Sequence, residues 1–327
     1  MTLVAGSYEK FIWGFSLKTL ASPGPSDAQT LTLTLKRLFS YPSHTGPIKC
    51  VAACGPAAAS GGGDSAIRLY DLPSSSELGS LLDHGGAVTA LAFFAFPLAP
   101  SVPRNLVSAS DDGAVCIYDA DPFVHLRTVA VHRRGDRRGV ADLAVHPSGR
   151  AALTVGRDAG LAMINLLRGR VGFSCRLDRE ASVVRYIGEE GERFVMATDE
   201  RITVHDSEDA RLIHEMNGGK RVLCVAPAES GILYVGGEDR AITAWDTTSG
   251  KVAYSIQDAH SSRIKGLVAF KSRNDDPEAS NLVVSASSDG FIRVWDVRMT
   301  AKDKPVPLAE ANTKSRLTCL AGSSLRM

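Results

Sequence analysis

The side chains of this chain that are best able to do chemistry do not form a catalytic or metal-binding motif. The sequence has no G-x-x-x-x-G-K-[ST] phosphate loop, no G-x-S-x-G nucleophile elbow and no H-E-x-x-H zinc motif. Cys50 and Cys54 form a C-x3-C pair, but no second pair stands at ligand spacing. We therefore expect no enzyme activity, no metal and no cofactor.

Two groups of basic residues are candidates for binding a partner. Three arginines directly precede a segment of the form apolar-x-x-apolar, and two lysines flank them: Arg221, Arg263, Arg316, Lys220 and Lys265. A second basic segment, HRRGDRRG (132–139), contributes Arg133, Arg134, Arg137 and Arg138. Because guanidinium groups bind phosphate and carboxylate well, these residues predict a docking surface for an acidic protein segment or an RNA backbone. The alternative is exposed surface without a ligand.

An internal repeat determines where these residues lie. Six segments end in an aromatic or apolar residue followed by Asp or Asn, and each has an Asp seven positions before that end: Asp64/Asp71, Asp112/Asp119, Asp158/Asn165, Asp199/Asp206, Asp239/Asp246 and Asp289/Asp296. The last two, VGGEDRAITAWD (235–246) and SASSDGFIRVWD (285–296), resemble the Trp-Asp signature of WD repeats. A seventh copy lies at the start of the chain, with Trp13-Gly14 in the Trp-Asp place. The repeats predict an all-β, seven-bladed propeller.

Each repeat also contains an apolar-x-x-apolar segment that predicts the inner strand of a blade. These segments are Ile48–Val51, Val88–Leu91, Val140–Leu143, Val183–Tyr186, Val222–Val225, Ile264–Leu267 and Leu317–Leu320. The last segment follows the last Trp-Asp, whereas the first Trp-Asp precedes the first segment, so the two chain ends must share a blade. Residues 316–322 should then pair with residues 2–15 and cover two sheet edges. We expect one propeller domain over residues 1–322 and a short tail over 323–327.

The resemblance to WD repeats implies a structural role for four histidines. Each stands a few residues before an inner strand, where WD repeats commonly have a histidine that bonds the turn aspartate: His44, His84, His132 and His260. The resemblance thus implies two buried pairs, His84 with Asp112 and His260 with Asp289, that fix blade geometry. We do not expect these groups to act as general acids or bases.

Composition and charge limit the kinds of partner. The 327 residues include 37 Lys+Arg and 36 Asp+Glu, for a formal net charge of +1, so no overall field draws the molecule to nucleic acid or membrane. The six cysteines are scattered, which is typical of a reducing compartment. Residues 85–103 carry no charge, but their three prolines predict a strand and a loop instead of a membrane-spanning helix. We expect no membrane partner.

Four segments resemble one family in particular. They are LVAGSYEKFIWGF (3–15), HPSGRAALTVGRD (146–158), SASSDGFIRVWD (285–296) and SRLTCL (315–320). They resemble the p21-activated-kinase-interacting proteins, and the match extends over nearly the whole chain. The resemblance implies a scaffold of the nucleus and nucleolus that acts in large ribosomal subunit (60S) biogenesis and pre-rRNA processing.

The same resemblance implies the partners. They would be 60S assembly factors, with contact to the pre-rRNA backbone as a further expectation, and the protein would be a monomer within a larger complex. For some members the resemblance implies a different role, that of a negative regulator that binds and inhibits a p21-activated protein kinase in signalling.

Overall fold

Short β-strands make up almost all of the regular structure. The computed structural model describes residues 1–20, 32–96, 99–132, 139–229, 231–270, 280–299 and 306–323. The first fifteen strands are β1 (Thr2–Ser7), β2 (Phe11–Leu20), β3 (Thr32–Pro42), β4 (Ile48–Cys54), β5 (Ala57–Gly62), β6 (Ile67–Asp71), β7 (Ser76–Leu81), β8 (Val88–Ala95), β9 (Pro103–Ser110), β10 (Ala114–Ala120), β11 (Phe123–Ala130), β12 (Val140–Val145), β13 (Ala151–Gly156), β14 (Gly160–Asn165) and β15 (Arg170–Arg176).

The remaining strands continue the same pattern to the end of the chain. They are β16 (Val183–Ile187), β17 (Arg193–Thr198), β18 (Arg201–Asp206), β19 (Leu212–Asn217), β20 (Val222–Pro227), β21 (Ile232–Gly237), β22 (Ile242–Asp246), β23 (Lys251–Ile256), β24 (Ile264–Ala269), β25 (Leu282–Ser287), β26 (Phe291–Asp296), β27 (Ala309–Asn312) and β28 (Leu317–Ser323). A short 3-10 helix, Val297–Met299, follows β26.

The strands form seven antiparallel sheets, and each sheet is one blade of a ring. The orders from the centre outward are β28-β1-β2-β3, β4-β5-β6-β7, β8-β9-β10-β11, β12-β13-β14-β15, β16-β17-β18-β19, β20-β21-β22-β23 and β24-β25-β26-β27. The inner strands contact one another in sequence, from β28 through β4, β8, β12, β16, β20 and β24 and back to β28. The predicted all-β, seven-bladed WD-repeat propeller is confirmed.

The blade that closes the ring contains both ends of the chain. The inner strand β28 pairs with β1 in antiparallel register, and Gly6 lies opposite Cys319. Thr318 Oγ1 lies 3.1 Å from the Gly6 carbonyl oxygen and 2.7 Å from the carbonyl oxygen of Ile48 in the next blade. The prediction that the N- and C-terminal strands share one blade is confirmed, and neither strand has an open edge at this join.

Apolar side chains fill the spaces between blades because both faces of each sheet are covered by a neighbour. The strands β5 (AAASGG) and β25 (LVVSAS) are buried at every position. Small residues allow neighbouring inner strands to approach closely. A Cβ atom on Gly266 of β24, for example, would lie only 2.5 Å from Leu320 Cβ of β28, which is too close for two carbon atoms. Cys50 has the same packing role, with its Sγ atom 3.6 Å from the Val88 carbonyl oxygen of the next blade.

The described residues of the uncharged segment 85–103 include one strand of a blade and the start of the next. Its first part forms β8, with Val88 and Ala90 buried, and β9 begins at Pro103. Within the ranges that the structure describes, no helix is long and apolar enough to cross a membrane.

Candidate functional site

A hydrogen-bonded network of His, Ser and Asp lies in the β24–β27 blade, at the end where the inner strand begins. His260 Nδ1 lies 3.1 Å from Asp289 Oδ2, and His260 Nε2 lies 2.8 Å from Ser285 Oγ. Trp295 Nε1 donates to the same Ser285 oxygen at 2.8 Å. Because these groups are buried or partly buried, the network removes the cost of leaving each of them without a partner.

The same network occurs in three further blades. His84 Nδ1 lies 3.3 Å from Asp112 Oδ2, and His84 Nε2 lies 2.7 Å from Ser108 Oγ. The equivalent sets elsewhere are His44, Asp64 and Ser60, and His132, Asp158 and Thr154. The structure thus brings together the residues of both expected pairs. The hydroxyl residues were not among the predicted site residues, although Ser or Thr stands four positions before the turn Asp in each of these blades.

The electrostatics of the network favour a charged aspartate beside a buried histidine. Burial alone would raise the pKa of Asp64, but hydrogen bonds from His44 and from the Thr45 N–H outweigh it and lower the pKa to about 2. Burial lowers the pKa of His84. The network therefore holds the turn and the loop together. In the described part of the chain, no group of three or more His, Cys, Asp or Glu residues could hold a metal ion.

The basic rim, defined as Lys220, Arg221, Arg263, Lys265 and Arg316, lies at the same end of the blades as the networks. Its residues stand at or next to the starts of β20, β24 and β28, which are neighbouring inner strands. Burial lowers the pKa of the Lys265 ammonium, and the charges of Arg263 and Arg221 lower it further. The structure thus brings Lys265 within electrostatic range of both Arg263 and Arg221.

Two arginines of the basic rim have acidic partners. Arg316 Nε donates to Glu9 Oε1 at 2.9 Å, and its guanidinium lies 4.2 Å from the centre of the Tyr8 ring. Arg221 Nε lies 3.5 Å from Asp199 Oδ1. The side chains of Arg221 and Arg316 remain 55% and 62% exposed, respectively. The ion pairs therefore orient the guanidinium groups without covering them. Arg263 makes no ion pair with any described residue.

A cavity of about 630 Å³ lies at the centre of the ring, between the inner strands. Lys49, Asp142, Arg185 and Lys265 are among the residues that line it. Asp142 accepts a hydrogen bond from Arg185 of the neighbouring blade, and Lys49 Nζ donates to Asp111 at 2.9 Å. Ion pairs therefore join blades across this wall, and Lys265 belongs both to the wall and to the basic rim. These pairs have no signal in the sequence, because their members lie in different repeats.

The second predicted cluster, Arg133, Arg134, Arg137 and Arg138, lies outside the described residues. The described residue His132 comes just before it and belongs to a network. The next described residue is Gly139, which directly precedes β12. Both neighbours lie at the end of the molecule that carries the basic rim.

Comparison with known proteins identifies both the repeat and the family. The WD domain, G-beta repeat family matches residues 35–71, 75–119 and 253–296. The p21-activated protein kinase-interacting protein 1 of Homo sapiens is 32% identical over 323 residues, which cover 98% of this chain and 76% of the human protein. The chain belongs to the p21-activated protein kinase-interacting protein 1 family. This confirms the resemblance found in the four sequence segments.

Other relatives of this p21-activated protein kinase-interacting protein 1 family member match over the same length. The p21-activated protein kinase-interacting protein 1-like of Danio rerio is 30% identical over 318 residues, covering 97% of this chain and 79% of that protein. Protein MAK11 of Saccharomyces cerevisiae is 26% identical over 356 residues, covering 97% and 82% of the two chains. The match therefore extends over all seven blades.

Proposed function

We propose that this protein is a non-catalytic scaffold in large ribosomal subunit (60S) biogenesis and pre-rRNA processing, and that it binds its partners through the basic rim. The cluster of Arg221, Arg263 and Lys265 carries the proposal. Lys265 is half-buried and lies near the like charges of Arg263 and Arg221. This arrangement costs free energy that a bound anion would offset. Carboxylates of assembly factors and phosphates of pre-rRNA are anions of the required kind.

The chemistry of the basic rim favours contact with an acidic protein segment or an RNA backbone over recognition of single bases. Base recognition in single-stranded RNA relies on exposed aromatic rings. Tyr8 is an exposed aromatic ring beside the rim, but the Arg316 guanidinium lies over it. The exposed guanidinium groups therefore supply charge and hydrogen bonds, and the rigid ring of blades supplies a fixed geometry for several contacts at once.

The proposal implies a location in the nucleus and nucleolus, and one copy of the protein within a larger complex. Arg133, Arg134, Arg137 and Arg138 stand shortly before β12 in the sequence, and we include them in the proposed binding surface.

Affinity purification of the full chain from nuclear extract tests this function. We expect 60S assembly factors and precursor rRNA in the eluate. Treatment with ribonuclease before elution separates the two kinds of contact, because factors bound directly to the protein would remain. An eluate that contains neither assembly factors nor precursor rRNA would contradict the proposed function.

The names of the human and Danio rerio relatives favour a second candidate function. Both are called p21-activated protein kinase-interacting proteins, so this chain would bind the regulatory segment of such a kinase and block its activation. An activation assay with the purified kinase and the purified full chain tests it. Dose-dependent inhibition supports the candidate, and an unchanged rate at saturating protein contradicts it.

A further inference from the structure

The β20–β23 blade lacks two of the residues that complete the network in four other blades. Its turn aspartate is Asp239 and its tryptophan is Trp245, which correspond to Asp289 and Trp295 of the β24–β27 blade. The hydroxyl position, four residues before the turn aspartate, holds Val235. The tryptophan and the aspartate are therefore present, but this blade lacks the serine that contacts both the tryptophan and the histidine in the β24–β27 blade.

Backbone hydrogen bonds show that Gly218 occupies the histidine position of this blade. The N–H of His260 donates to the Arg240 carbonyl, and the N–H of His132 donates to the Gly113 carbonyl. Each acceptor is the residue that follows a turn aspartate in the preceding blade. The N–H of Gly218 donates at 2.7 Å to the carbonyl of Glu200, which follows the turn residue Asp199. The loop is thus equivalent, but it carries no side chain at this point.

The volume that an imidazole ring fills in other blades is a pocket in this one. The pocket measures about 330 Å³ and is lined by residues that include Gly218, Val235, Asp239 and Trp245. In the β4–β7 blade the ring is packed so tightly that a Cβ atom on Gly62 would lie 2.3 Å from the imidazole Nδ1 atom.

The tryptophan of this pocket has a hydrogen-bond donor without an acceptor. Trp245 is only 8% exposed, and its Nε1 atom has no partner among the described residues. The equivalent Nε1 atom of Trp295 donates to Ser285. A buried N–H group without an acceptor is costly. Asp239 also has no histidine beside it, and burial raises its pKa.

We propose that this pocket receives a histidine side chain from a protein partner, which completes the network between the two chains. One imidazole nitrogen would donate to the Asp239 carboxylate, and the other would accept from Trp245 Nε1. The exposed Lys220 and Arg221 line the edge of the pocket. They disfavour a cationic ring and favour an acidic residue beside the partner's histidine. The inference rests on the proposed function only in requiring a protein partner at the basic rim.

Nuclear magnetic resonance of the full chain with free imidazole tests the pocket directly. The three tryptophans give three indole N–H signals, and the variant Trp245→Phe identifies the one of interest. We expect imidazole to shift the Trp245 signal with a Kd in roughly the millimolar range, as for a fragment of this size. The Trp295 signal should stay in place, because its network is already complete. The probe 1-methylimidazole, whose neutral form has no N–H to donate to Asp239, should bind about tenfold more weakly at a pH where both probes are neutral.

The variant Gly218→His supplies the ring from within the chain. We expect it to abolish the response of Trp245 to imidazole, and its unfolding midpoint shows whether the fold is retained. If this variant fails to fold, the comparison of imidazole with 1-methylimidazole on the unaltered chain still decides the matter.

Three results would overturn the proposal. The first is a Trp245 signal that does not move up to about 100 mM imidazole, well above the expected Kd. The second is a response of Trp245 to 1-methylimidazole that equals its response to imidazole. The third is a folded Gly218→His variant whose Trp245 signal responds to imidazole as strongly as that of the unaltered chain. Adenosine monophosphate that shifts Trp245 at a lower concentration than imidazole would assign the pocket to a nucleotide instead. These measurements use purified protein, so their outcome is independent of whether 60S factors are found in the eluate.

Discussion

Single hydroxyl groups hold the blade networks together. Ser285 Oγ accepts from Trp295 Nε1 and contacts His260 Nε2, so its removal would leave two buried nitrogen atoms without their partner. By contrast, Ser16 Oγ is buried but has no hydrogen-bond partner among the described residues. The two serines differ in what their hydroxyls contribute, although both are almost completely buried.

We expect Ser285→Ala to lower the free energy of unfolding by about 2–3 kcal/mol, because buried polar groups lose their hydrogen bonds. Ser16→Ala is the matched control, and we expect it to leave stability unchanged or slightly higher. Urea denaturation measures both, with an unchanged m-value as evidence for the same unfolding transition. Equal midpoints for the two variants would contradict the role of the network.

The β16–β19 blade contains a different histidine environment. His205 takes the tryptophan position, stacks on Phe194 with 5.0 Å between ring centres, and has a buried Nε2 atom without a partner among the described residues. Burial lowers its pKa in the folded protein. In the unfolded chain this histidine has an ordinary pKa of about 6.5, so as the pH falls the unfolded chain binds a proton before the folded protein does. The free energy of unfolding therefore decreases as the pH falls below about 6.5.

We expect His205→Phe to flatten this pH dependence. The free energy of unfolding of the unaltered protein should fall between about pH 7 and pH 5, and that of the variant should fall less steeply over the same range. Urea denaturation at a series of pH values measures the two slopes. Parallel slopes would show that His205 does not titrate differently in the folded and unfolded states.

At the scale of strands, the closing blade depends on the close approach of β1, β28 and β4. A Cβ atom on Gly6 would lie 2.4 Å from Ile48 Cγ2 and 2.8 Å from Cys319 Sγ. We expect Gly6→Ala to cost about 1–3 kcal/mol, as overpacking does in a tight core. Gly85→Ala is the control, because its Cβ atom would have only Asp112 Oδ2 nearby, at 3.9 Å. Equal urea midpoints for the two variants would contradict this packing.

Removal of β28 should have a larger effect than any single substitution. This strand pairs with β1 and contacts β4 and β24, so a chain that ends at Ser315 exposes one sheet edge and two blade faces. We expect loss of the cooperative thermal transition and concentration-dependent aggregation. Removal of residues 324–327, which follow β28, is the control. A cooperative transition in the chain without β28 would show that the ring does not require its closing strand.

Much of this architecture could be predicted from the sequence. The turn Asp and the Trp-Asp end recur at a fixed spacing, and their order relative to the inner strands requires a blade shared by the two termini. Residues that contact each other across distant repeats have no regular separation in the sequence. Glu9 and Arg316 are 307 positions apart, and only the folded ring shows that they pair. The pocket at Gly218 arises from a missing side chain. That absence can be recognised only when the other blades show that a histidine occupies the equivalent position.

At the scale of the whole molecule, charges of one sign form local clusters although the net charge is only +1. Arg221, Arg263 and Lys265 cluster where inner strands begin. The turn between β16 and β17, at the opposite end of the blades, carries the residues Glu189, Glu190 and Glu192. We propose that such local clusters, and not the net charge, direct an anionic partner to the basic rim.

Charge reversal on one face tests the binding role of the basic rim most directly. The test variant carries Arg221→Glu, Arg263→Glu and Arg316→Glu. The control carries Arg150→Glu, Arg168→Glu and Arg211→Glu, the same change of charge in exposed turns of the opposite face. Recovery of 60S assembly factors and precursor rRNA from nuclear extract is then compared with that of the unaltered protein. We expect the test variant to retain its melting temperature and to lose about tenfold or more in recovery, while the control binds normally. Equal recovery by the two variants would contradict the basic rim as the binding surface.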